Sequence, residues 1–248
     1  MVELSPKNLL LYIFATPQRK DDVLHIRAWF LFYALYMIAV CILSNWGYVH
    51  YSRTGDNIAK AVWFLGLFVF YFSLACTYIP LPTVWLILLL ASPVCGLAIL
   101  TPFWWVVMVA GLGAFATSIS HTNEYHFITY LLRLGKIHLL KQTRIYLWAH
   151  KQFKVWPFLL LVVFNVLPVP ADPVRWLAII SGYPLVKFFL ANWIGRFFRY
   201  GILAVIAESL KLNLIHIIII SAALIVLSLA GVVFQHIRTG TATASSTP

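Results

Sequence analysis

Long apolar runs dominate the chain, and polar residues collect in the gaps between them. Ala28 to Trp46 is the first run long enough for a membrane span, which takes about 20 residues of helix. Tyr48 to Lys60 is more polar and carries Gly55-Asp56-Asn57, which reads as a loop. Val62 to Ile79 then runs into Pro80-Leu81-Pro82, and Val84 to Leu100 leads away from it. Thr101-Pro102 predicts a sharp turn into Phe103 to Ser120, whose small residues Ala110, Gly111, Gly113, Ala114 and Ala116 permit close helix packing. Asn123 to Lys154 reads as a more polar helical stretch. Val155 to Leu167 meets a second interruption at Pro168-Val169-Pro170, extended by Pro173, and Val174 to Ile180 leaves it. Gly182-Tyr183-Pro184 predicts a tight connection into a helix from Pro184 to about Ala207. Leu214 to Phe234 is the final span.

The two proline interruptions decide the fold class. Proline lacks a backbone N–H and restricts the residue before it, so no helix passes undisturbed through Pro-x-Pro. Within a bilayer, non-helical backbone survives only where protein or a wet cavity covers it. Paired interruptions in corresponding halves of a chain point to an inverted-repeat transport site. Val155–Leu167 would reach only about 20 Å at 1.5 Å per residue, which is short for a crossing. The prediction is an all-α polytopic membrane protein. Its two re-entrant helical hairpins, broken at Pro-x-Pro, oppose each other in an inverted repeat, with tips at Pro80 and Pro82 and at Pro168, Pro170 and Pro173. Residues 1–27 form a cytoplasmic segment with an amphipathic stretch at Leu4–Phe14 and no cleavable signal peptide. Residues 28–238 form the transmembrane domain, and residues 239–248 a disordered tail.

Composition agrees. The chain is 62% hydrophobic and only 10% charged, and no Lys, Arg, Asp or Glu occurs from Ala61 to Asn123. The net charge of +11 is concentrated at Arg133, Lys136, Lys141, Arg144, Lys151 and Lys154. The positive-inside rule places that stretch, and with it both termini, in the cytoplasm. Contact with anionic lipid headgroups is a compatible second role. Nucleic acid is excluded as a partner, since no binding module surrounds the basic stretch. Cys41, Cys76 and Cys95 lie in apolar segments with no zinc or disulfide spacing, and read as buried small thiols. Nucleophile elbow, metalloprotease helix and P-loop are all missing, which predicts a protein that is not an enzyme and takes no cofactor or metal.

Candidate chemistry gathers after the second interruption, at Asp172, Arg175, Lys187, Asn192, Arg196 and Arg199. Ionisable groups at membrane depth are costly and default to a functional reading. Asp172 and Arg175 stand three apart, close enough to pair on a helix. Arg196 and Arg199 are also three apart, and an arginine pair can grip phosphate at two oxygens. Gly195 allows close backbone approach beside them. Asp172, Arg175, Asn192, Arg196 and Arg199 are therefore the candidate substrate-binding residues. His121, Glu124 and His126 invite a metal reading, but the five-residue gap between the histidines is wrong for one helix face, and a helix end at the membrane boundary accounts for them better. Trp104, Trp105, Trp148, Trp156, Trp176 and Trp193 fit interfacial belts.

Leu167-Pro168-Val169-Pro170-Ala171-Asp172-Pro173, then Ser181-Gly182, Phe188 and Gly195-Arg196 with Arg199, resembles the DedA superfamily, also called VTT or SNARE-associated Golgi proteins. Ile79-Pro80-Leu81-Pro82 followed by Gly111-Leu112-Gly113-Ala114 looks like that family's first hairpin and following helix, so the resemblance spans roughly residues 62–210. It implies two facing re-entrant hairpins, membrane lipids as partners, and flipping or scrambling of phospholipids or polyprenyl phosphates. It also implies residence in the bacterial inner (plasma) membrane. The family's arginines after the second tip match best at Arg175 and Arg196. Many bacterial members carry a carboxylate before the first tip, where this chain has none between Ser73 and Ile79, and Thr83 replaces a family glycine. Coupling to a proton gradient is accordingly not expected. The alternatives are an ion-coupled transporter of a small soluble solute and a non-transporting scaffold; a homo-oligomer stays open.

Overall fold

In the computed structural model, the described residues are 23–76, 81–92, 101–133, 153, 155–167, 172–213, 215–220, 222, 223 and 226. They form seven helices: α1 (Val23–Thr54), α2 (Asn57–Leu74), α3 (Val84–Ala91), α4 (Pro102–Arg133), α5 (Pro157–Val166), α6 (Asp172–Ile180) and α7 (Leu185–Ser209). Residues 215–220, at the start of the expected final span, are also helical. Among the described residues, four helices are long and apolar enough to cross a membrane: α1, α2, α4 and α7. The chain is thus an all-helical, multi-pass membrane protein. At 1.5 Å per residue, α3, α5 and α6 each reach about 12–15 Å, half the hydrocarbon thickness or less.

Two helices run further than the polarity pattern predicts. The expected loop Tyr48–Lys60 is helical as far as Thr54. Helix α1 stops only at Gly55, whose φ of +68° is open to glycine at little cost. Asp56 then caps α2 by accepting from the N–H groups of Ile58 and Ala59. Likewise α4 does not end near Ser120 but runs on to Arg133, 32 residues in all. The hydroxyls of Thr117, Ser118 and Thr122 donate to the carbonyls of Gly113, Ala114 and Ser118, so these polar residues are satisfied within the helix. The second connection matches expectation: Gly182 has φ +68°, and the Tyr183 N–H donates to the Ala178 carbonyl.

Helix α4 is central, with 61% of its apolar window buried, while α1 is peripheral with 11%. Apolar side chains such as Leu31, Leu35, Ile38 and Ile42 on α1 are exposed, which suits a helix bordering lipid tails. Two apolar cores stack along α4 and α7. One joins Val109, Ala110 and Ala114 of α4 with Tyr200, Ala204 and Ala207 of α7, and with Phe68, Phe72, Ile87 and Leu90. The other joins Tyr125 and Ile128 of α4 with Leu185, Phe188 and Ala191 of α7, and with Leu161, Ala178 and Ile179. The order of these residues makes α4 and α7 antiparallel. The packing is also crossed: α3 lies against α7, and α6 lies against α4.

Candidate functional site

Between the two apolar cores lies a polar layer at the midpoints of α4 and α7. Helix α4 contributes Thr117, His121 and Glu124, spaced i, i+4 and i+7 and therefore on one face. Helix α7 contributes Asn192, Arg196 and Tyr200, each four apart. Asn165 enters from α5, and Asp172 with Arg175 from α6. Glu124, Asn165 and Asn192 are buried to within 1%.

Arg175 is the hub. Its guanidinium, 2% exposed, pairs with Asp172 as the three-residue spacing predicts. It also lies 3.7 Å from Glu124 and 2.8 Å from His121 Nε2. Arg196 reaches the same His121 Nε2 at 3.5 Å. A nitrogen that faces two guanidinium donors presents its lone pair, so the imidazole hydrogen sits on Nδ1, 3.6 Å from Glu124 Oε2. The Trp176 indole donates to Glu124 Oε1 at 2.7 Å. Arg196 donates through Nε to Asn165 Oδ1 at 3.2 Å and approaches the Tyr200 hydroxyl at 3.4 Å. That hydroxyl also bonds Thr117 at 3.1 Å.

Gly195 makes the α5–α7 contact. A Cβ there would stand 2.6 Å from Asn165 Cβ and 2.7 Å from the Val162 carbonyl oxygen, so only glycine lets Asn165 come within reach of Arg196. Helix α1 closes another side. Tyr33 donates to the Ser73 carbonyl and Tyr36 bonds the Ser73 hydroxyl, which satisfies the end of α2. Trp29 is fully buried, donates to Asn123 Oδ1 at 2.6 Å and stacks on His126 at 5.1 Å.

A cavity of about 170 Å³ opens on this layer. One wall is the first interruption, through Ala75, Cys76, Leu81 and Thr83. The opposite wall is Asp172 and Arg175, which follow the second interruption, with Arg196 and Tyr200 of α7. Thr117 and His121 complete it. Across the first interruption the Tyr71 hydroxyl donates to the Pro82 carbonyl at 2.9 Å.

Of the candidate residues, Asp172, Arg175 and Arg196 meet at the cavity. Asn192 stands behind its wall, bonded to Asn165 and to the Phe188 carbonyl. Arg199 turns away from it, toward the Leu167 carbonyl where the second interruption begins, at 3.4 Å. Pro82 and Pro173 are described, whereas Pro80, Pro168 and Pro170 lie outside the described residues, as do Cys95 and the basic residues from Lys136 to Lys154. Three readings need correction. His121 and Glu124 are not at a helix end, because α4 runs on past them and their polar groups are met by α6 and α7. Trp105 does not face lipid as a belt residue would: it is buried, and its indole donates to the Leu90 carbonyl at 2.8 Å. Neither Cys41, which is exposed, nor Cys76, which is half-buried at the cavity, is a buried thiol.

His121, Glu124, Thr117, Asn165 and Tyr200 were missing from the candidate set. The stripe Thr117, His121, Glu124 was readable as a polar face on an apolar helix, whereas the metal test compared His121 with His126, which points elsewhere to stack on Trp29. Asn165 is a lone amide in an apolar run, and only its partners give it meaning. A scan against protein-family models finds no match for this chain, and searches of curated proteins and of solved structures find none either.

Proposed function

We propose that this protein carries the phosphate-bearing headgroup of a membrane lipid across the bilayer through the cavity between the two interruptions, while the acyl chains stay in the lipid. The observation that carries the reading is the cavity itself: two arginines line a space of about 170 Å³ at the midpoints of membrane-crossing helices. Arginine is the side chain best suited to phosphate, because its planar fork matches two oxygens. Intramembrane cations that face a cavity mark a substrate path. Three further features support the finer architecture, two opposed re-entrant hairpins in an inverted repeat. Helices α3, α5 and α6 are too short to cross alone. Both interruptions contribute to one cavity. The crossed packing of α3 on α7 and α6 on α4 is what a two-fold relation between halves produces. The resemblance to the DedA superfamily points the same way.

The test is translocation of a fluorescent phospholipid, and separately of a polyprenyl phosphate, in vesicles reconstituted with the full chain. Wild-type vesicles should exchange at least one of these lipids, and Arg196→Ala should abolish most of the exchange in a protein that still elutes as a folded species. No exchange of either lipid by wild-type protein refutes the proposal and favours a soluble solute or a scaffold.

A further inference from the structure

The two arginines at the cavity are held in opposite ways. Arg175 faces two carboxylates, Asp172 in direct contact and Glu124 at 3.7 Å. Arg196 faces none within salt-bridge distance among the described residues. Its partners are an amide oxygen, a phenol and an imidazole nitrogen. The amide is not there by chance of rotamer. Asn165 Nδ2 donates to the Leu161 carbonyl at 2.8 Å and to Asn192 Oδ1 at 3.1 Å, while Asn192 Nδ2 donates to the Phe188 carbonyl at 2.7 Å. Backbone carbonyls only accept, so each fixes which end of its amide must face it. The chain of bonds leaves one group over, Asn165 Oδ1, and directs it at Arg196 Nε.

We infer that Arg196 is the anion-binding group of the cavity, aimed by Asn165 and Asn192 as positioning residues, and that Arg175 is a structural cation already balanced by its carboxylates. A neutral tether at Nε orients the guanidinium plane without cancelling its charge. The two terminal nitrogens, with contacts of 3.4 and 3.5 Å, remain available to a bidentate acceptor. The ligand chemistry is a phosphate diester or monoester oxygen pair. The inference rests on the phosphate reading of the cavity, and it separates two arginines that the sequence treats alike.

The full chain in detergent is titrated with dimethyl phosphate, a soluble diester, and binding is read from thermal unfolding. Fluorescent-lipid translocation is measured on the same variants in vesicles. Thr117 lines the cavity and shares the Tyr200 hydroxyl with Arg196, so Thr117→Asp sets a carboxylate beside that guanidinium, and Thr117→Asn matches it in size without charge. Thr117→Asp should bind dimethyl phosphate at least about tenfold more weakly than Thr117→Asn, an interval of about 1.4 kcal/mol. Asn165→Ala, which keeps the charge and removes the aim, should raise the half-saturating dimethyl phosphate concentration about tenfold while Arg196→Gln removes binding altogether. Equal binding by the two Thr117 variants, or unchanged binding by Asn165→Ala, overturns the inference. Binding that follows these expectations without any lipid movement keeps the anion site and refutes the lipid reading instead. Lipid movement that ignores both substitutions does the reverse.

Discussion

Replacing Gly195 with alanine should do far more harm than the same replacement at Gly201, the other glycine of α7. In a helix interior, Gly→Ala is favourable by about 1 kcal/mol, through reduced freedom of the unfolded chain. At position 195 that gain is opposed by contact. The new Cβ would lie 2.6 Å from Asn165 Cβ and 2.7 Å from the Val162 carbonyl oxygen, neither of which is the far end of a flexible side chain. Overpacking of this kind costs about 1–3 kcal/mol, and relief requires α5 to move away from α7. That movement lengthens the 3.2 Å bond from Arg196 to Asn165. Gly201, on the same helix, is the internal control: its added Cβ would stand 3.9 Å from Ala110 Cβ, an ordinary contact. Gly201→Ala should therefore raise the unfolding temperature in detergent by a few degrees, at about 2–4 °C per kcal/mol for a chain this size. Gly195→Ala should lower it and should also impair lipid translocation. If the two variants unfold at the same temperature, close approach at Gly195 is not what joins α5 to α7.

Glu124→Gln keeps an acceptor for the Trp176 indole but removes a buried charge facing Arg175, and should cost about 3 kcal/mol in thermal unfolding. Asp56→Ala removes the side-chain cap of α2 and should cost about 1 kcal/mol by the same measurement, with translocation unchanged. Because Asp172 and Glu124 both face Arg175 and the first interruption brings no carboxylate to the cavity wall, translocation should proceed equally with and without a protonophore in energised vesicles; collapse on its addition would contradict this.

Legibility in the sequence followed the physics of each signal. Proline announced both interruptions, since its constraint is local, but it did not say where α2 unwinds. That helix ends at Leu74, six residues before Pro80, and the ending is stabilised from another helix, by Tyr33 and Tyr36 on Ser73. The Asp172–Arg175 pair was readable because three-residue spacing on a helix is a local rule. The polar layer was not, because Thr117, His121 and Glu124 look like a boundary to any reading that weighs polarity along the chain. They belong to the interior because α6 and α7 supply partners for the layer from about 50 to 80 residues further on, as in Trp176 to Glu124 and Tyr200 to Thr117. Asn192 was readable beside Arg196, but its bond to Asn165 was not, because Asn165 is a lone amide in an apolar run on another helix.

The polar layer also imposes a schedule on biosynthesis. Helix α4 must enter the membrane carrying Glu124, and the Trp176 indole that binds it lies 52 residues downstream, with the Arg175 guanidinium just before it. At translation rates of about 5–20 residues per second, α4 waits for about 3–10 seconds before those groups exist. His121, one turn away on the same helix and 3.6 Å from Glu124 in the folded protein, is made before them. Insertion of this chain is therefore a task for a membrane-insertion machinery that can hold a partly polar helix at its flank until the second half arrives, and the rate of that second half becomes a determinant of yield.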